Sequence, residues 1–310
     1  MSTLADALAG LALPALVGAL LPRLKPDTFD PVRAPRLLAT LVTEVTLPAL
    51  SLAVLARRPL PWSAALSVLP ALAALGITLG LAWLTARALR LDRPSTGAMM
   101  LAASFSNTAF VGLPMTQAIL PGADNLAAAL LIDTLATTLG LWTVGVAVAQ
   151  RFGGGSAPLT PSSVLLRPAT LSVLLGLCLG AAGVSLPSWA LSALEPVGAA
   201  TTPLAFLFLG MRIDLRGAWR SRGPIAAVAA LKLVAMPLAA VAVARAAGLP
   251  GPAVAVGALQ SAMPTALVAA VIAEQSGCDA RLAAGSVAVT VPLGVAIISA
   301  CAPLVQALAG

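Results

Sequence analysis

Ser104-Phe105-Ser106-Asn107-Thr108-Ala109-Phe110-Val111-Gly112-Leu113-Pro114-Met115 is a polar interruption inside an apolar run from about Gly97 to Leu120. Pro114 has no N–H and its ring collides with the carbonyl of Phe110, while Gly112 and the Asn107 amide loosen the same turn, so the stretch predicts a broken helix. A break inside hydrocarbon survives only where protein or a water-filled cavity covers the freed backbone groups. The second half of the chain carries a counterpart, Gln260-Ser261-Ala262-Met263-Pro264-Thr265, within an apolar run from about Pro252 to Ala273. Two interrupted helices in corresponding positions of two halves point to a transporter's binding site.

Composition places the chain in a membrane. Of its 310 residues 59% are hydrophobic and only 9% charged, with a mean hydropathy of +1.00, far from soluble composition. The net charge of +7 falls in short clusters between apolar runs, so it reads as topology and not as a nucleic-acid patch. Cys178, Cys278 and Cys301 lie far apart and suggest neither disulfides nor a metal site. The absence of histidine removes the commonest general base and metal ligand. The first 21 residues read as a first span and not as a cleaved signal.

Counted against the ~20 residues that cross ~30 Å of hydrocarbon, the apolar runs give ten spans. They fall at about 5–22, 35–56, 64–86, 97–120, 125–149, 165–183, 190–210, 224–246, 252–275 and 281–306. Fourteen Lys and Arg residues follow the odd-numbered spans, whereas only Arg57, Arg58 and Arg245 lie on the opposite side. The positive-inside rule then puts both termini outside and the odd-numbered loops in the cytoplasm, for a multi-pass protein of the inner membrane.

The Gly-rich linker, residues 151–166, separates a first five-helix repeat, 1–150, from a second, 167–310. Five spans per half make the halves opposite in orientation. Thr46-Leu47-Pro48-Ala49-Leu50 in span 2 answers Thr201-Thr202-Pro203-Leu204-Ala205 in span 7, and the broken spans 4 and 9 answer each other. The fold class is therefore all-α, with ten transmembrane helices in two inverted repeats. The Gly76/Gly80 and Gly176/Gly180 pairs have the spacing of helix-packing faces.

Ionisable residues inside spans are functional hypotheses by default, because each costs several kcal/mol unless paired or hydrated. Glu44, Asp133 and Lys232 each fall roughly 12 to 14 Å deep at 1.5 Å per residue, near the bilayer centre. Asn107 and Pro264 come out at similar depth, which suggests one central site. Lys232 either neutralises Asp133 or Glu44 or faces a solute. Asp133 with Thr134, Thr137 and Thr138 offers a stripe of oxygens to a proton or cation. Pro264, taken as the first residue of a half-helix, would leave the N–H groups of Thr265, Ala266 and Leu267 at the crossover, where a carboxylate is favoured. The candidate substrate site is thus Asn107, Thr108, Pro114, Gln260, Pro264, Thr265 and Lys232, with Asp133, Thr137 and Glu44 for ion or proton coupling. A cation held by freed carbonyls and Asp133 is the competing use.

Asn107-Thr108-Ala109-Phe110-Val111-Gly112-Leu113-Pro114, Ala262-Met263-Pro264 with Ala273-Glu274-Gln275, Thr202-Pro203-Leu204-Ala205 and Leu231-Lys232-Leu233 with Pro237 resemble motifs of the auxin efflux carrier family. That family includes plant PIN proteins and bacterial malonate-type carriers. The resemblance implies crossed broken helices 4 and 9 in a fold similar to bile-acid symporters and sodium/proton antiporters. Spans 1, 2, 6 and 7 would form a scaffold, often dimeric, and spans 3 to 5 and 8 to 10 a moving domain. It also implies elevator-like transport of organic anions, with Asn107 at the substrate.

The expectation is a secondary transporter of a small mono- or dicarboxylate such as malonate, with the bilayer and a second copy as partners. No cofactor is expected beyond H+ or Na+ as coupling ion. A sodium-coupled symporter is the alternative, and an ion channel or intramembrane enzyme ranks below it. Without histidine, GxGD or HExxH, an enzyme would have only scattered acids to work with.

Overall fold

The computed structural model describes residues 33–56, 62–154, 168–212 and 221–310, together with residues 13, 14, 16–21, 24, 25, 30 and 166. Much of expected span 1, linker residues 155–165 and the charged residues Arg23, Arg57, Arg58, Arg167, Arg216 and Arg220 lie outside the described residues. Among the described residues every regular element is helical.

Among the described residues, five helices are long and apolar enough to cross a membrane: Ala64–Ala88, Ala123–Gly153, Ser188–Phe208, Arg222–Ala246 and Ala280–Ala300. They answer expected spans 3, 5, 7, 8 and 10, while the shorter apolar helices Glu44–Leu55 and Pro168–Ala181 answer parts of spans 2 and 6. Spans 4 and 9 are each divided. The first runs as Arg93–Ser104 and Leu113–Ile119, the second as Gly251–Ser261 and Leu267–Gln275.

The division of span 4 lies at Phe105–Asn107 and not at Pro114. Phe105 leaves the helix with φ −99° and ψ 121°, whereas Pro114 sits in the first turn of Leu113–Ile119 after a π-helical turn, Thr108–Gly112. The same device recurs twice, with Val42–Thr46 before Pro48 and Leu231–Ala235 before Pro237. A proline ring strikes the carbonyl four residues back; those residues, Glu44, Phe110 and Leu233, all lie in the widened turns. Widening the ladder absorbs the clash without ending the helix. Asp133 occupies a further π-helical stretch, Ile132–Thr138, which has no proline behind it.

The chain forms two compact units. The first comprises Met1–Ala65, Ala109–Leu131 and Ser162–Ile213; the second comprises Leu66–Thr108, Ile132–Pro161 and Asp214–Gly310. Each therefore draws on both sides of the linker.

In the first unit, helix Leu47–Leu55 packs against both Pro168–Ala181 and Ser188–Ala199. Glycine makes both approaches close: a Cβ on Gly176 would meet Leu55 Cβ at 2.9 Å, and one on Gly198 would meet Leu50 Cα at 2.8 Å. Small residues at such seams let backbones approach where no hydrophobic drive separates helices from lipid. By contrast, nothing lies within 4 Å of a Cβ built on Gly76 or Gly80.

In the second unit, Arg93–Ser104 lies against Val68–Ala88, Val146–Gly153 and Ala280–Ala300. One end of this unit is tied by polar contacts. Asp92 caps Arg93–Ser104 by accepting from the Ser95 N–H at 2.9 Å. Asp279 caps Ala280–Ala300 by accepting from Arg281 and Leu282 N–H at 3.0 Å, accepts from the Ser95 hydroxyl at 3.0 Å, and donates its N–H to Pro94 O at 3.1 Å. Arg93 donates to Arg151 O at 2.6 Å. These bonds satisfy helix ends that would otherwise leave orphan groups.

Candidate functional site

The two interruptions meet inside the second unit. Ser106 and Thr265 form an antiparallel bridge, with Asn107 N–H donating to Pro264 O at 2.7 Å and Ala266 N–H donating to Phe105 O at 2.9 Å. Thr265 adds two bonds, its N–H to Thr290 Oγ1 at 3.1 Å and its Oγ1 to Ala102 O at 2.8 Å. The backbone freed by each break is thus satisfied mainly by the other break, as burial away from water demands.

This pairing corrects one expectation. Pro264 does not begin a half-helix with free N–H groups behind it. The helix resumes at Leu267, after Ala266 at φ −65° and ψ 130°, and the N–H groups of Thr265 and Ala266 are already engaged. Extended backbone on both sides makes strand-like pairing available, and it wins over an open helix end.

Lys232 reaches the same point from the widened turn Leu231–Ala235 and is fully buried. Its Nζ donates to Ser106 Oγ at 2.5 Å, Met236 Sδ at 2.7 Å and Ser261 O at 3.1 Å. Three acceptors match the three donors of an ammonium. All three are neutral, so none supplies the counter-charge expected of a structural ion pair.

Asp133, also buried, accepts from the Thr108 hydroxyl at 2.5 Å. This bond joins the residue just after the first interruption to the π-helical turn of span 5. A cavity of about 10 Å³ lies alongside, lined by Ser104, Ser106, Thr108, Thr137, Gln260 and Ser261 among others. The hydroxyls of Ser104 and Ser261 are buried there without a hydrogen-bond partner among the described residues. A polar space of this size accommodates about one water-sized group.

Of the residues singled out by sequence, Asn107, Thr108, Asp133, Thr137, Lys232, Gln260, Pro264 and Thr265 all belong to the second unit and all are buried. Pro114 and Glu44 belong to the first unit, where Pro114 is buried and Glu44 exposed. Sequence reading missed Ser261, Met236 and Thr290 as partners. Met236 lies one helical turn from Lys232, a spacing that could have suggested contact. Thr290 and the Ser261 carbonyl gave no comparable signal.

A helical, apolar chain with interrupted helices paired around a buried lysine is a multi-pass membrane protein of the transporter class, and the comparisons agree. A family model described as membrane transport protein matches residues 13–301. The chain belongs to this family, that of the auxin efflux carriers. It is similar to a protein of Methanothermobacter thermautotrophicus named an uncharacterized transporter, 28% identical over 249 residues, covering 78% of this chain and 79% of that one. It is also similar to the uncharacterized transporter MJ1031 of Methanocaldococcus jannaschii, 25% identical over 218 residues and covering 68% of each.

Proposed function

We propose that the protein is a secondary transporter that moves a small organic anion, a mono- or dicarboxylate such as malonate, by elevator-like alternating access. The observation that carries this reading is Lys232, a buried lysine set at the pairing of two interrupted helices, whose acceptors among the described residues are all neutral. Intramembrane charges of this kind mark substrate pathways. A carboxylate arriving beside Asn107, Thr108 and Thr265 would supply the counter-charge that the resting site lacks.

The cavity at this point has room for about one water-sized group, so a carboxylate enters only when the lining between Ser104–Thr108 and Gln260–Ser261 opens. In the elevator reading, spans 1, 2, 6 and 7 form a scaffold; parts of spans 2, 6 and 7 share one compact unit, which also takes in Ala109–Leu131 of spans 4 and 5. The reciprocal bonds between Phe105–Asn107 and Pro264–Ala266 support two inverted five-helix repeats, 1–150 and 167–310, with ten spans in all. The basic-residue asymmetry supports an inner-membrane orientation with both termini outside, and family likeness supports a homodimer through the scaffold.

Coupling is assigned to a proton carried by Asp133. Sodium is the second reading, favoured by the hydroxyl-lined cavity next to the Thr108–Asp133 bond. Uptake of radiolabelled malonate and other carboxylates into proteoliposomes, under imposed pH, sodium or voltage gradients, tests the function and separates the two. Full uptake by Asn107→Ala would remove Asn107 from the site.

A further inference from the structure

One face of helix Val68–Ala88, in the second unit, is not used by the transport reading. Leu69, Leu72, Gly76, Gly80, Trp83 and Arg87 follow one another at spacings of three or four residues, the repeat of a single helix face. All six are exposed. Gly76 and Gly80 leave an open lane there: among the described residues no heavy atom lies within 4 Å of a Cβ built on either.

The lane leads to a basic cluster. The Arg87 guanidinium lies 4.8 Å from the centroid of the Trp83 ring, within the range of a cation–π contact. Arg90 N–H donates to Arg87 O at 3.0 Å, and Arg93 donates to Arg151 O at 2.6 Å. Asp279, the cap of Ala280–Ala300, ties Arg281 to the same end through its bonds to Ser95 and Pro94. These contacts gather Arg87, Arg90, Arg93, Arg151 and Arg281, all exposed, at one end of the unit. Of the acids near them, Asp92 and Asp279 are already committed as helix caps.

We propose that this end of the second unit binds an anionic phospholipid, with its phosphate at Arg87 and Arg90 and an acyl chain along the Gly76–Gly80 lane. Arginines clustered beside a membrane span attract anionic headgroups, and Trp83 has the character of an interfacial anchor. At 1.5 Å per residue Gly76 is roughly 16 Å along the helix from Arg87, close to the ~15 Å of one hydrocarbon leaflet. That length suits a chain hung from a phosphate, whereas a free phosphate would use the arginines and leave the lane empty.

For the test, the full chain in detergent is released from vesicles of phosphatidylglycerol and phosphatidylcholine in equal amounts, and retained lipid is weighed by native mass spectrometry. The wild type should retain phosphatidylglycerol selectively. Arg87→Gln combined with Arg90→Gln should lower that retention about tenfold or more. Gly80→Phe, which blocks the lane and keeps both arginines, should lose most of it as well. Arg245→Gln, an exposed arginine at the end of Met236–Ala246 and outside the cluster, should retain the lipid as the wild type does. Excess sn-glycerol 3-phosphate should displace none of it. Circular dichroism establishes that each variant is folded.

The proposal is overturned by any of four results: no selectivity in the wild type, retention unchanged in the double variant or in Gly80→Phe, an equal loss in Arg245→Gln, or displacement by glycerol 3-phosphate. Retained lipid is weighed without any uptake measurement, so its outcome is separate from that of the transport reading.

Discussion

Ser106 and Thr265, 159 positions apart in sequence, face each other in an antiparallel bridge where two helices are interrupted. Each carries a second duty: Ser106 accepts from Lys232, and Thr265 ties the bridge to Ala102 and Thr290. The bridge therefore fixes both breaks and the lysine with one set of contacts.

Thr265→Val keeps the shape of the side chain but removes the donor to Ala102 O. With a buried acceptor left without that bond, stability should fall by about 1 to 3 kcal/mol. Chemical unfolding of wild type and variant in the same detergent checks this. Equal stability would mean that the bond contributes nothing net.

Asp133→Asn keeps an oxygen that can accept from Thr108 while removing the carboxylate. Transport should persist under a voltage gradient and lose its dependence on an imposed pH gradient. Proteoliposome uptake at fixed voltage with varied pH measures this, and an undiminished pH dependence would place the proton elsewhere.

Gly153→Ala should destabilise the protein, because a Cβ there would collide with the backbone oxygen of Ser276. The neighbour is main chain and cannot rotate away, so a cost of about 1 to 3 kcal/mol is expected. Gly154→Ala, where nothing lies within 4 Å but φ is +76°, is strained by backbone alone and should cost about 1 kcal/mol. A thermal melt of the two variants side by side separates collision from strain.

Asp92, exposed at the start of Arg93–Ser104, is held below the ordinary carboxyl value of 3.8 by the Ser95 hydroxyl first and the Ser95 N–H second. Because its folded pKa is depressed, its contribution to stability is present above the ordinary value and disappears as pH falls through the folded one. Between about pH 5 and about pH 3, Asp92→Asn should lose less stability than the wild type. Parallel slopes in unfolding experiments across that window would show that the cap carries no pH dependence.

The interruptions were legible because polar residues and prolines inside apolar runs are costly, and the eye finds Asn107 and Pro264 without help. Their geometry was not. Pro114 looked like the breaking point, yet a proline in a first turn can be absorbed by widening the preceding turn, and Thr108–Gly112 does so. Pro264 looked like a helix start, yet the extended backbone around it pairs with Phe105–Asn107 instead. Lys232 was found by its charge, but its ligands were not, since the Ser261 contribution is a main-chain carbonyl and any residue carries one. Membrane class and transporter family were readable from composition and motif together, and the family match covers residues 13–301.

The most direct test of the account is carboxylate uptake into proteoliposomes by wild type and Lys232→Met. The variant keeps an unbranched chain of similar length in a fully buried position, and size-exclusion and circular dichroism establish that it is folded. The account predicts saturable uptake by the wild type and a loss of about tenfold or more in the variant, equivalent to roughly 1.4 kcal/mol or more. Undiminished uptake of the same anion by folded Lys232→Met would contradict it.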